Sequence, residues 1–335
     1  MKTAFPLISF GIALCAFIFI SCNKEDYDSQ VTIEQFNFPQ TVIFEDSLTS
    51  YQVFSGTPAD LTPSADFELL ELSSILFTDY SHKQRLVKIP PGTQMIQLSD
   101  GTIGFPDGTI LTKTFFYYHD ERDTSLGKRN IETRLEIKEN GLWNAATYVW
   151  NEDQTNAYLK TDGLTTPVSW IDENGVSHST NYEVPSGNDC IACHQSDSKV
   201  APIGSSLLNL NRDVERNGGT LNQLTYLQNE GLLNNFQVNQ IGQMVDYNNA
   251  NASLDDRGRA YLAMNCAHCH NPSGWPKANE REFDFRYQIP FAQTGISFEE
   301  EKIKRALDER EMPFIGNTML DEEGVNLLKE HLDNL

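Results

Sequence analysis

Four cysteines and two histidines constrain this chain more than any other feature. Cys190-Ile191-Ala192-Cys193-His194 and Cys266-Ala267-His268-Cys269-His270 share one C-x-x-C-H pattern. With six cysteines and seven histidines in 335 residues, such a pentapeptide arises by chance roughly 0.002 times. Two copies therefore mark a chemical requirement. Whatever the fold, it must present a pair of thiols and an adjoining imidazole at two places.

The spacing matches covalent attachment of c-type haem. Two thiols three positions apart reach the two vinyl groups on one porphyrin edge, and the following histidine turns its imidazole to the iron. The sequence thus predicts two covalently bound haem c groups, one on Cys190 and Cys193 and one on Cys266 and Cys269. His194 and His270 are the axial iron ligands. Four cysteines could instead build one zinc site, which leaves the histidine after each pair unexplained. Disulfides are the other use of cysteine in an exported chain.

Export is written into the first residues. Lys2 precedes an apolar stretch from Ala4 to Ile20, which ends at Ser21-Cys22. This resembles a lipoprotein signal peptide (residues 1–21), with Cys22 as the acylated first residue of the mature chain. The alternatives are an ordinary secretory signal or an uncleaved anchor, although a stretch of about 17 apolar residues broken by Pro6 is short for a span. Diacylglycerol plus an N-acyl chain gives stable anchoring. Asn23-Lys24-Glu25-Asp26 is similar to the acidic tags that send some lipoproteins to the outer surface. The predicted location is the cell envelope, on the periplasmic side of a membrane or the outer-membrane surface. Haem attachment requires export, which this signal supplies independently.

Composition narrows the partners. Forty-seven acidic against 25 basic residues give a formal charge of −22. That argues against nucleic acid, whose phosphates need a basic face, and against an electrostatic hold on anionic lipid. Membrane association would come through the lipid at Cys22, and a redox partner protein would carry a basic patch. Apolar residues at 39% and aromatics at 10% suit a folded chain.

Periodicity divides the chain. Residues 22–64 are polar and turn-rich and read as a tether and lead-in. Residues 65–200 are strand-like and end in the first motif. Ile131, Leu135 and Ile137 fall on one face of a period-two strand, with the charges on the other. Asn140-Gly141 marks a tight hairpin turn, from which Leu142 to Trp150 returns. Asn174-Gly175 marks a second hairpin, and Phe105-Pro106-Asp107-Gly108 a turn before the strand Thr109 to Tyr118. Residues 201–252 form a helical connector, with helical spacing over Leu221–Leu227 and Phe236–Tyr247. Residues 253–335 hold a helix from Leu254 to His270 and a last one over Asp321–Leu335. The fold class expected is α+β: an antiparallel β-rich haem domain followed by an all-α class I cytochrome c domain.

That last expectation rests on a resemblance. Arg257-Gly258-Arg259-Ala260-Tyr261-Leu262 leads into the second motif, Glu311-Met312-Pro313 follows, and Leu320 to Val325 opens the final helix. This resembles class I cytochromes c, which pack first and last helices together and ligate iron with the motif histidine and a downstream methionine. The resemblance implies His270 and Met312 here. Met319 is the competing ligand, and Met264 reads as core. A broader resemblance, to a little-characterised family of exported dihaem c-type cytochromes, covers roughly residues 65–335. It is carried by Leu76 to Arg85, Phe105 to Thr109, Glu132 to Leu135, Tyr148 to Thr155 and Asn222 to Leu224. The Phe-Pro-Asp-Gly-Thr turn is also similar to cytochrome P460, in which a lysine can bind the porphyrin. Lys113 stands in the strand after that turn and otherwise reads as solvated.

The first haem decides between two functions. No Met-Pro follows His194, and His82, His119, His178 and Met244 are the candidates for its distal ligand. A second protein ligand would restrict the chain to electron transfer, the favoured reading. An open iron, fed by the His/Met centre, would make a peroxidase-like or P460-like haem enzyme. No Gly-rich phosphate loop, HExxH helix or GxSxG elbow points to other chemistry.

Overall fold

The computed structural model of the chain describes residues 41–98, 102–276, 278, 282–313 and 316–335. The signal segment and Cys22 lie outside the described residues. Six antiparallel strands follow one another in chain order across one sheet: β1 Glu68–Leu69, β2 His82–Lys88, β3 Ile110–Tyr118, β4 Lys128–Glu139, β5 Leu142–Trp150 and β6 Ala157–Leu159. The β4–β5 turn is Asn140-Gly141, with φ of 53° and 76°. Both are positive, which a two-residue turn matched to strand twist requires. A separate hairpin pairs β7 Leu164–Ile171 with β8 Ser177–Val184. Its loop is closed by Asp172, whose carboxylate accepts from the backbone N–H of Asn174 and Val176 at 2.9 and 2.8 Å.

One face of the sheet is conventional. Leu86, Leu135, Tyr148 and Trp150 pack there on Leu48, Val53, Leu61 and Phe67 of the lead-in segment. Ile131 departs from the expected stripe. The β3–β4 register shifts between Phe115 and Phe116 and leaves Ile131 without a cross-strand partner. Such a bulge re-aims a side chain, and Ile131 joins Tyr117, Val168, Trp170, Tyr182 and Val184 under the separate hairpin.

Among the described residues, six helices are scattered through the second half: α1 Gly187–His194, α2 Leu207–Leu210, α3 Gln223–Asn229, α4 Leu254–Asn265, α5 Ile296–Asp308 and α6 Glu322–Asp333. The expected helix over Phe236–Tyr247 is absent apart from one 3₁₀ turn at Val238–Gln240. There the Asn211 amide donates to the carbonyls of Ile241 and Gly242 at 2.9 and 3.2 Å, fixing an extended path. Helix α4 stops at Asn265, ahead of the second motif, and α5 has no counterpart in the sequence reading.

The expected fold class needs correction. The chain is built mainly on sheet, and no all-α C-terminal domain stands apart from it. A three-turn helix with one apolar stripe must bury that stripe on another layer. Tyr261, Ile296, Leu307 and Leu328 do so in one continuous cluster with Leu70, Val87 and Leu111 of the sheet region and Leu207 and Leu224 of the connector. Helices and strands thus share a core that the expected domain boundary would divide. No helix of the described residues is long and apolar enough to cross a membrane.

Within that core α4 and α6 meet at backbone distance. A Cβ on Gly258 would lie 2.6 Å from His331 Cβ, and one on Gly324 2.6 Å from Tyr261 Cζ. Gly258→Ala should therefore lose about 1–3 kcal/mol to overpacking, despite alanine's better helix propensity. Denaturant unfolding checks this, and an unchanged or raised midpoint would show that the helices can separate.

Candidate functional site

The first motif lies on a helix that begins with a reciprocal cap. Ser186 Oγ accepts from Asp189 N–H at 3.4 Å, and the Asp189 carboxylate accepts from Ser186 N–H at 2.9 Å. Helix α1 thereby starts at a fixed point and sets Cys190 and His194 against the sheet face that the sequence pattern assigns to solvent. That face is covered. Glu132 has no exposed surface and is bound by Arg134 at 2.6 and 3.1 Å and by the Tyr182 hydroxyl at 2.7 Å.

His194 is 7% exposed and oriented through one nitrogen. Its Nδ1 lies 3.0 Å from Ala201 O and 2.8 Å from Glu136 Oε1. A proton on Nδ1 leaves Nε2 as the nitrogen available to a metal. Burial pushes the Glu136 carboxyl up, but His194, Lys113 and Arg134 together outweigh it and hold the group below the usual carboxylate range. Cys190 Sγ lies 4.0 Å from Thr147 Oγ1, and burial pushes its thiol up to about 11. Cys190 and His194 line a narrow pocket with Arg85, Lys113, Arg134 and Glu136. Its empty space, open mouth included, is about 550 Å³.

The second motif forms the turn that ends α4. Cys266 is the C-cap, its N–H donating to Leu262 O at 2.9 Å, and His270 N–H donates to Cys266 O at 2.9 Å. The His270 ring packs against Phe285 at 5.4 Å and Phe283 at 5.8 Å between centroids. Burial lowers its pKa below the ordinary histidine value, against a smaller opposing pull from the Ala278 backbone. Burial pushes the Cys266 thiol up to about 12.

The two motifs converge. Ligand atoms of Cys193, His268 and Cys269 lie within 4.8 Å of one another, and Cys269 Sγ is 3.9 Å from Ala192 O. A backbone hydrogen bond from Asp197 N–H to Ser273 O, 2.8 Å, ties the segments just beyond. All four cysteines are free thiols. The hydrogen bond with Cys269 and burial raise Cys193 well above the ordinary thiol range. Thiols held neutral in this way are poor nucleophiles for disulfide exchange.

The donor sets fit haem c. Each holds two free thiols three positions apart and an adjoining imidazole: His194, whose Nε2 is left open by its Nδ1 contacts, and His270, packed on Phe285 and Phe283. A single zinc ion would use Cys193, His268 and Cys269 alone, leaving Cys190, Cys266, His194 and His270 unexplained.

The other candidates are dispersed. Met312 is partly buried against the cluster that holds Phe283 and Phe285, and its N–H donates to Ala306 O at 3.2 Å, just past α5. Met319 packs instead against the Trp170–Tyr182 cluster, with its N–H on Asp79 Oδ1 at 2.9 Å. Met264 is core, its sulfur accepting from Asn209 Nδ2 at 3.2 Å, and Met244 is 6% exposed in the same cluster. Strand alternation puts His82 on the opposite face of the sheet from Arg85, stacked on Phe116 and 3.1 Å from Glu121. His119 is exposed beside Gly127. His178 stacks on Trp170 and lies 2.9 Å from Asp172. Lys113, read as solvated, lines the pocket of the first motif.

Sequence reasoning missed Glu136 as the partner of His194. The only signal was its alternation with Glu132 and Arg134, the ordinary pattern of a strand's wet face. Comparison of the chain with protein-family models, curated proteins and solved structures finds no match.

The Glu136–His194 contact has a pH signature. A carboxyl depressed by pairing adds stability that is fully present above its ordinary value of 4.5. That stability is lost as pH falls through the lower folded value. Glu136→Gln should therefore flatten the acid limb of the stability curve below about pH 4.5 and lower stability at neutral pH. Parallel acid limbs in denaturant titrations would show that the pair does not hold in solution.

Proposed function

We propose that the chain is a dihaem c-type cytochrome that moves electrons in the cell envelope. One observation carries the reading: two C-x-x-C-H motifs, far apart in sequence, meet through Cys193 of the first and His268 and Cys269 of the second. When bound, the two haems supply one-electron redox centres tuned by axial ligands, hydrogen bonding and burial.

The chain's own residues divide the work. Cys190 and Cys193, and Cys266 and Cys269, attach the two groups. His194 binds the first iron through Nε2, with Ala201 O and Glu136 fixing the ring through Nδ1. His270 binds the second iron from an aromatic, low-dielectric setting. Met312 completes that second site, since it packs in the same cluster as Phe283 and Phe285 whereas Met319 belongs to another. Closeness of the motifs suits exchange between the centres without a bound substrate. The acidic surface suits a basic partner protein, and acylated Cys22 supplies the membrane hold.

A second reading is a haem enzyme reacting at the first iron. The pocket favours it, because Arg85 and Lys113 line the same space as His194 and none of His82, His119 or His178 does.

A pyridine haemochrome assay should count two haems per chain, and Cys190→Ala and Cys266→Ala should each remove or loosen one. A count of zero with stoichiometric zinc would sink the proposal. Carbon monoxide added to the reduced protein separates the two readings: no bound fraction supports the carrier, and a bound fraction at one haem supports the enzyme.

Met312→Ala should abolish the weak near-infrared methionine–iron(III) band and lower one reduction potential. If Met319→Ala does this and Met312→Ala does not, the ligand assignment is wrong.

A further inference from the structure

Strand register puts like charges side by side in the covered face. Arg85 on β2 pairs with Lys113 on β3, and Lys113 with Arg134 on β4. Directly opposed like charges destabilise a sheet, so each needs an answering anion. Arg134 has one, the buried Glu132. Glu136, the other carboxylate on this face, stands against His194. Lys83, the next cation along β2, donates to Ser81 O at 2.9 Å and lies 5.6 Å from the Phe115 ring centroid. Arg85 and Lys113 are left without an ion pair, although the Lys113 charge also acts on Glu136. Neither makes a hydrogen bond or ion pair with the described residues, and Arg85 is 9% exposed with its Nε buried and unpartnered. In a chain of net charge −22, composition does not force two adjacent cations into a half-apolar pocket.

We propose that Arg85 and Lys113 form a binding site for a carboxylate or small oxyanion beside the first C-x-x-C-H motif. The pocket supplies what such a site needs: a guanidinium able to fork onto two oxygens, an ammonium next to it, and Thr147 and Ser205 among the polar lining, while the Glu136 carboxylate of the same lining is taken up by His194. Leu70, Leu111, Ile203 and Ala145 line the rest and keep the local dielectric low, which strengthens the attraction. The protonation balance agrees. Burial pushes Arg85 down to about 10, and burial followed by the Arg85 charge pushes Lys113 down to about 8, a cost that a bound anion relieves. The anion has two possible sources: a propionate of an attached haem, which rests on the function proposed above, or a free oxyanion, which does not.

The full-length protein tests both. Haem is first counted in the wild type and in Arg85→Gln, Lys113→Gln and the charge-keeping Lys113→Arg. Sulfate, a dianion matching two cations, is then titrated calorimetrically, a readout independent of haem. For a free anion, the wild type and Lys113→Arg bind sulfate, and each glutamine variant weakens binding at least tenfold. For a propionate, the wild type takes up no sulfate, and the glutamine variants lower the reduction potential of one haem while leaving the other unchanged. Sulfate binding by a protein without haem would keep the anion site and remove only the cytochrome reading. Folded variants that match the wild type in both sulfate titration and potentials would overturn the proposal.

Discussion

The fully buried carboxylate of Glu132 governs how this molecule is arranged. An isolated charge in that position would cost several kcal/mol to desolvate. It is tolerable because Arg134 forks onto it from the same strand and Tyr182 donates from the separate hairpin. That triad lets both faces of the sheet be covered. One face closes on an ordinary apolar core, while the other closes on charges and holds α1 and the first motif. Without the answering charge on Arg134, the β4 pattern would have to leave its polar face in water, and no surface would remain to seat Cys190 and His194.

Much of the strand architecture was legible. Asn140-Gly141 fixed one hairpin because both residues accept positive φ, and the neighbouring strand from Leu142 to Trp150 follows from its pattern. Less was legible where a local signal was overridden. Ile131 fits the Leu135 stripe by periodicity, yet one extra residue in the ladder sends it under Trp170. Helical spacing over Phe236–Tyr247 loses to the Asn211 amide, which captures the carbonyls the helix would need. Helix α5 went unseen because it starts at Gly295 with no side-chain cap and carries Phe298 84% exposed, which blurs its apolar stripe.

The fold class failed for a related reason. Residues that resemble a small helical haem protein were read as one, although resemblance over a motif and two helices does not say what those helices bury. Here Tyr261 and Leu328 bury themselves with Val87 and Leu111, so the helical segment depends on the sheet. The motif residues themselves were plain in the sequence. Their second layer was not, because Glu136, Lys113 and Arg85 look like ordinary surface charges until the strand register brings them beneath α1.

The meeting of Cys193 with Cys269 also bears on how the molecule is assembled. Two segments joined this closely are tied again from Asp197 to Ser273, and both sulfurs sit at the contact between them. A group bonded to either sulfur has to arrive while the segments are apart. If the motifs carry haem as proposed, covalent loading precedes closure of the junction.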